Sequence, residues 1–363
     1  MDGLAPYISP QLSGTWLGIE RMPYLRKDLG ISPEVIEDTL VEKTKRIAPD
    51  FIVIGNIHGA AWSPSIVEAL RDRVDCPIVV YMHDCYWFTG RCAYTGSCEL
   101  YKTGCNHTCP TWQEYPSLPP DQIFHAWRTR RDLFCGSNGI PIATDSHWLL
   151  GKLRDGMPNA TRTDCLYYGL DEQVFHPMNK ALARKLLGIP QDKFVILGGA
   201  INVAEYRKGG HIFQKLFSIF KNDACFLLFG AQSDMYPGAY STGLLRDYRK
   251  LPLVFNAADV FVNTSLEEAF GQTLCEAAAC QVPVVAFRVG GVPEIARDGI
   301  NARLVDEQNE LALAKEIEFF KRDRDARLAY GKAGRQVVES EFTLKAQGER
   351  WLSYLDSVFC PVG

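Results

Sequence analysis

An α/β fold built on two parallel sheets is predicted for this chain of 363 residues. Three observations carry the prediction. From Phe51 onward, apolar runs of strand length alternate with longer amphipathic stretches, and such β-α repeats lay their strands parallel. The length suits two domains of ordinary size better than one. Between the two sets of repeats lies Tyr168–Pro177, a turn-rich segment with Gly169, Asp171 and Pro177 that reads as a hinge. Domains are therefore expected at 1–167 and 168–342, followed by a C-terminal helical segment at 343–363.

The elements follow in order. Ser32-Pro33 supplies a cap and a first turn, and Val35, Ile36, Leu40, Val41 and Ile47 follow at helical spacing, so a helix is expected to Ile47. Phe51–Gly55 and Pro77–Met82 read as buried strands with a short helix at 64–73 between them. Residues 84–122 are rich in Cys, Tyr, Gly and Pro and read as an irregular insertion. A helix at 123–134, a strand at 141–144, a helix at 147–154 and a strand at 164–167 complete the first half. In the second half, strands are expected at 194–198, 225–230, 260–262, 284–287 and 303–305, with helices between them. The last helix, 343–358, carries Trp351, Leu352, Tyr354, Leu355 and Val358 as a docking face.

Composition narrows the function classes. Apolar residues make up 47% and charged residues 23%, with a net charge of −4, which points away from general nucleic-acid binding. No apolar run approaches the roughly 18 residues that span a bilayer, and the N-terminus lacks the charged and apolar regions of a secretory signal. The expected location is cytoplasmic, with peripheral contact at the inner face of the plasma membrane left open. Of 12 cysteines, Cys92, Cys98, Cys105 and Cys109 cluster with His107 nearby. In a reducing compartment such a set suggests a structural zinc or buried thiols before disulfides.

The chemistry centres on Ser265–Glu276, between the strand Asp259–Thr264 and an alanine-rich helix. Backbone amides of Gly271, Gln272 and Thr273 at a helix start suit a diphosphate, and Glu268 and Glu276 can accept hydrogen bonds from sugar hydroxyls. The two glutamates are separated by seven residues. This spacing resembles the Glu-x7-Glu motif of retaining family-4 glycosyltransferases. Asn256–Val260, Gln281–Ala286, Val289–Glu294, Asp298-Gly299 and the hinge Tyr168–Pro177 are similar to that family's surrounding segments, over roughly residues 50–358.

The resemblance implies a GT-B fold, two Rossmann-like domains facing a cleft, with the donor on the C-terminal domain and the last helix packing back on the N-terminal one. It implies that Lys208 stabilises the leaving diphosphate, that Glu268 holds the sugar, that Glu276 holds the ribose, and that Phe270 belongs to the donor site. It also gives His83, which ends the second strand, a place at the reacting region, where open α/β sheets bind ligands. One departure is evident. Relatives carry an Arg after the glycine that ends the strand before Lys208, whereas this chain reads Gly198-Gly-Ala-Ile-Asn202, leaving Arg207 as the nearby second cation. A Trp-Phe-Thr-Gly-x-Cys segment followed by a cysteine set resembles the exopolysaccharide, colanic-acid-type subgroup.

Residues 1–50 show no apolar strand followed by a Gly-Gly pair, so the N-terminal domain is expected to be shortened. The function expected is transfer of a sugar from a nucleotide diphosphate sugar to a glycan or lipid-linked saccharide, with retention, and with no metal required for catalysis. The alternatives are a catalytically weak nucleotide-sugar-binding or partner subunit, and a sugar-nucleotide epimerase.

Overall fold

The computed structural model describes residue 17 and residues 22–160, 162–202, 205–231, 236–245 and 247–359. Part of the stretch before Phe51 on which the missing Gly-Gly unit was sought, residues 1–16 and 18–21, lies outside them. The described residues form two compact units, one of residues 17–167 with 350–359 and the other of residues 168–349.

The first unit opens with α1 (Pro33–Ile47), where the Ser32 hydroxyl accepts from the Val35 N–H at 3.4 Å. Its inward stripe is Ile36, Leu40, Val41 and Thr44, and Ala48 ends it with φ 48° just before Pro49. Strand β1 (Ile52–Ile54), helix α2 (Ser65–Arg73) and strand β2 (Ile78–Met82) follow. After an insertion that holds the short α3 (Leu100–Thr103) come α4 (Pro120–Phe134), β3 (Ile142–Thr144), α5 (His147–Gly156) and β4 (Thr163–Cys165). The sheet is wholly parallel in the order β1-β2-β3-β4. Every residue of β2 is buried, as a central parallel strand requires, whereas Val53 on the edge strand is 39% exposed.

The insertion, though largely without regular elements, is built into the core. Trp87 and Phe88 are fully buried, Trp87 packs edge-on to Phe134 at 5.8 Å, and Cys92, Tyr101, Cys105 and Cys109 join the same apolar cluster as β2 and α5. These aromatic and sulfur-bearing side chains thus supply core that the short strands lack. Each fully buried large side chain contributes about 1.5–3 kcal/mol.

The second unit comprises α6 (Lys180–Leu187), β5 (Phe194–Asn202), α7 (Gly210–Phe220), β6 (Ala224–Ala231), β7 (Tyr240–Ser241), α8 (Leu251–Ala257), β8 (Val260–Asn263), α9 (Gln272–Ala279), β9 (Val284–Phe287), α10 (Val292–Ile295), β10 (Ala302–Val305), α11 (Glu310–Arg322) and α12 (Arg324–Glu341). Its parallel sheet has the order β10-β9-β8-β5-β6-β7. The chain builds outward from β5 to β7, then returns to β8 on the other side, so the order reverses between β5 and β8. The adjacent glycines Gly198 and Gly199 lie inside β5. Side chains there would enter the rings of Phe213 and Phe229, at 2.2 and 2.3 Å, so this pair serves packing. Finally α13 (Leu344–Phe359) contributes Gln347 to the second unit and Trp351 and Tyr354 to the first, where Trp351 meets Tyr81 at 5.1 Å and the Tyr354 hydroxyl donates to the Arg162 carbonyl at 3.0 Å.

Candidate functional site

In open parallel sheets, the reversal of strand order leaves a crevice beyond the carboxyl ends of the strands. In the second unit that position lies beyond β5 and β8, and the loops that follow β5, β8 and β9 are zipped together there. The Leu266 N–H donates to the Arg207 carbonyl at 2.7 Å, the Thr264 hydroxyl donates to the Lys208 carbonyl at 2.8 Å, and the Gly291 N–H donates to the Glu268 carbonyl at 2.9 Å. Two glycines permit this closeness. Gly209 (φ 70°) and Gly290 (φ 55°) occupy the left-handed region, and a side chain on them would lie 1.9 Å from the Thr264 carbonyl oxygen and 1.8 Å from that of Glu268.

The loops bring Lys208 and Glu268 together across 60 residues, with Nζ 2.5 Å from Oε2. The Ser265 hydroxyl adds a third member at 3.2 Å from the same oxygen. Arg207 donates to the Glu267 carbonyl at 3.0 Å and to the Glu205 carboxylate at 2.9 Å. Glu268 is 8% exposed. Burial, the largest single influence, pushes its carboxyl up, but the charges of Lys208 and Arg207 and the hydrogen bonds from Lys208 and Ser265 together hold it below the usual range. The acid is thus a buried carboxylate with its charge matched.

Directly after Glu268, Gly271 (φ 93°) starts α9 with no side-chain cap and no acidic residue in the first turn. Gln272 and Thr273 are half-buried there, and Glu276 sits on the next turn, buried at 3% exposure. An uncapped helix start beside a lysine is a favourable seat for a phosphate. Arg207, Lys208, Glu268, Gly271, Gln272 and Thr273 therefore share this loop cluster, with Glu276 one turn further along α9. Phe270 lies in the same loop, just before Gly271. It is 3% exposed, and its ring packs on Tyr168 at 5.7 Å and Phe342 at 6.0 Å, so it anchors the loop from below.

His83 belongs to the first unit. It follows β2, half-buried, with Nδ1 3.8 Å from Asp145 Oδ2 and its ring 4.6 Å from Tyr81. Beside it on the same sheet edge lies a set that the sequence reading missed. Asp84 follows His83, Asn56 and His58 follow β1, and Tyr115 enters from the insertion. The Asn56 amide donates to Asp84 Oδ2 at 2.7 Å, His58 Nε2 lies 2.8 Å from the same oxygen, and Tyr115 Oη lies 2.9 Å from His58 Nδ1. A repeated signal was available, since Asn56-Ile-His58 leaves one strand as His83-Asp84 leaves the next.

Cys92, Cys98, Cys105 and Cys109 of the insertion lie near one another. Among the described residues, no group of three or more His, Cys, Asp or Glu side chains is disposed to hold a metal ion. Cys92 and Cys109 each face the Thr111 hydroxyl at 3.9 Å, and Cys105 is buried near them while Cys98 is half-exposed. Burial pushes the Cys92 thiol up to about 11 and the Cys105 thiol up to about 12.

Comparison with known proteins finds a family likeness within the second unit. Residues 242–337 match the family profile described as glycosyl transferases group 1. A D-inositol 3-phosphate glycosyltransferase of Saccharomonospora viridis is 31% identical over 178 residues, covering 43% of this chain and 41% of that protein. A protein of Escherichia coli described as a candidate colanic acid biosynthesis glycosyl transferase, WcaC, is 27% identical over 253 residues, covering 67% of this chain and 59% of its own length. The chain thus spans about two fifths and three fifths of these relatives. Among solved structures, sucrose-phosphate synthase from Thermosynechococcus elongatus superposes with a TM-score of 0.70 at 20% identity, over 97% of this chain and 82% of that one. HepE of Anabaena in complex with UDP-glucose gives 0.67 at 17% identity, over 89% and 82%. The fold is GT-B, with one parallel sheet in each unit. No helix among the described residues is long and apolar enough to cross a membrane.

Proposed function

We infer that the chain is a glycosyltransferase that moves a sugar from a nucleotide diphosphate sugar to a hydroxyl of a glycan or lipid-linked saccharide, with retention of configuration. The Lys208–Glu268 pair at the strand-order reversal, beside the uncapped start of α9, carries this reading. In it, Lys208 and the amides of Gln272 and Thr273 hold the diphosphate and stabilise the charge that develops as it leaves. Glu268 accepts from the sugar hydroxyls, Glu276 accepts from the ribose, and Arg207 adds positive potential. His83 keeps the role at the reacting region that the family resemblance implies. The departing phosphate oxygen takes the acceptor proton, so neither a protein nucleophile nor a protein-held metal is called on.

The similarity to WcaC supports a place in the synthesis of exopolysaccharide or another cell-surface glycan. HepE was solved with UDP-glucose, which makes uridine diphosphate sugars the first donors to try. Nucleoside diphosphate release from a donor panel tests the reading. Glu268→Gln keeps size and hydrogen bonding but removes the charge, and a fall of about hundredfold or more in release is expected. Release by Glu268→Gln at the wild-type rate would refute the assignment.

A further inference from the structure

A chain of hydrogen bonds runs from solvent to a buried carboxylate at the carboxyl edge of the first unit's sheet. Tyr115 Oη lies 2.9 Å from His58 Nδ1, and His58 Nε2 lies 2.8 Å from Asp84 Oδ2. Asp84 is 4% exposed, and its other partners are donors, the Asn56 amide on Oδ2 at 2.7 Å and the Tyr86 N–H on Oδ1 at 2.9 Å. A carboxylate ringed by donors accepts, so Nε2 carries the imidazole proton. In the neutral imidazole Nδ1 is then the acceptor, and the Tyr115 hydroxyl donates to it.

The direction of these bonds decides what Tyr115 offers. Its proton is committed inward, and the hydrogen-bond chain behind it polarises the phenol. Its remaining lone pairs are available as acceptors, on a residue that is 68% exposed and carries an aromatic face.

The loop that presents Tyr115 is held from beneath. Arg91, 3% exposed, donates to the carbonyls of Glu114 and Pro116, both at 2.8 Å, on either side of Tyr115. Its other terminal nitrogen donates to the Thr111 carbonyl and, at 2.7 Å, to the Thr111 hydroxyl. A guanidinium buried to bind loop carbonyls fixes the tip of the insertion in one place.

Charge selects the ligand class. Asp84 puts negative charge behind the phenol. Arg26, the cation that acts on Tyr115, is held by the two oxygens of Asp28 at 2.7 and 2.5 Å. Such a place disfavours an anion and suits a neutral donor of O–H. We propose that Tyr115, backed by His58, Asp84 and Asn56, binds a hydroxyl of a neutral polyol or sugar. That this ligand is the acceptor of the transfer rests on the functional reading above; the binding itself does not.

Binding is measured on the full chain by saturation-transfer NMR, without donor, using methyl α-glucoside, methyl α-mannoside and myo-inositol as probes. Tyr115→Phe removes the hydroxyl and keeps the ring. At least one probe is expected to bind the wild type, with Kd rising about tenfold in Tyr115→Phe. Gln113→Ala, on the same loop but outside the hydrogen-bond chain, is expected to bind as the wild type does. Failure of the wild type to bind any probe, or equal Kd for Tyr115→Phe, overturns the proposal. Retained glycoside binding without nucleoside diphosphate release would sink the transferase reading and leave this site standing. Normal release with glycoside binding indifferent to Tyr115→Phe would do the reverse.

Discussion

Lys208→Met removes a charge from a pair that is almost wholly out of water. Glu268 is 8% exposed and the Lys208 side chain 22%, with 2.5 Å between the charged atoms. Breaking a buried pair by deleting one partner typically costs about 3–5 kcal/mol, because the other charge stays buried and unmatched. Arg207 and the Ser265 hydroxyl remain near Glu268, so the lower end applies, about 3 kcal/mol. That is roughly a hundredfold in the folding equilibrium, or about 6–12 °C in the unfolding midpoint of a domain this size.

The pH dependence carries the sharper test. In the wild type the Glu268 carboxyl is held below its ordinary value of 4.5, so its contribution to stability is fully present above that value and is lost as pH falls through the folded-state value. Without Lys208, burial dominates and the carboxyl rises. The variant then suffers most near neutral pH, where the lone carboxylate is charged, and recovers as acid protonates it. Urea unfolding of both proteins between about pH 7 and pH 4 should show the difference between them shrinking towards acid. A difference that stays constant across this range, or is absent near pH 7, would refute the account of Glu268 as a buried, charge-matched carboxylate.

Gly290→Ala places a methyl group 1.8 Å from the Glu268 carbonyl at φ 55°, and should cost at least about 2 kcal/mol and weaken nucleotide-sugar binding, read by calorimetry. Arg335→Met strips donors from the carbonyls of Glu172, Phe175 and Ala279, which join the hinge segment to the end of α9; about 2–3 kcal/mol should be lost, with faster amide exchange in residues 168–177. Iodoacetamide near pH 8 should label Cys92 and Cys105 about a hundredfold or more slowly than ordinary exposed thiols, and Cys275 and Cys280 more slowly still. Peptide mass spectrometry reads this, and all four should react promptly once the chain is unfolded.

Local pattern was enough for much of the architecture. Strand-length apolar runs fell where β2, β3, β5, β6, β8 and β9 lie, and Ser32-Pro33 announced the start of α1, because caps and periodicity are written within a few residues. The Glu268–Glu276 spacing located a loop and the helix that follows it for the same reason. Other features depended on which distant segments pack together. Nothing near Gly198-Gly199 reveals the Phe213 and Phe229 rings that require it, so a loop-like signal lies inside a strand. Nothing near Phe270 reveals Tyr168 and Phe342, on which its ring packs. The cysteine-rich insertion reads as irregular in sequence, and its place in the core follows from aromatic and sulfur contacts with distant elements. Above all, Lys208 and Glu268 meet because the sheet reverses its strand order between β5 and β8, and Tyr115 meets His58 because Arg91 holds the insertion's tip. Strand order and long-range loop contacts are set by the packing of the whole sheet, which a window of a few residues does not contain.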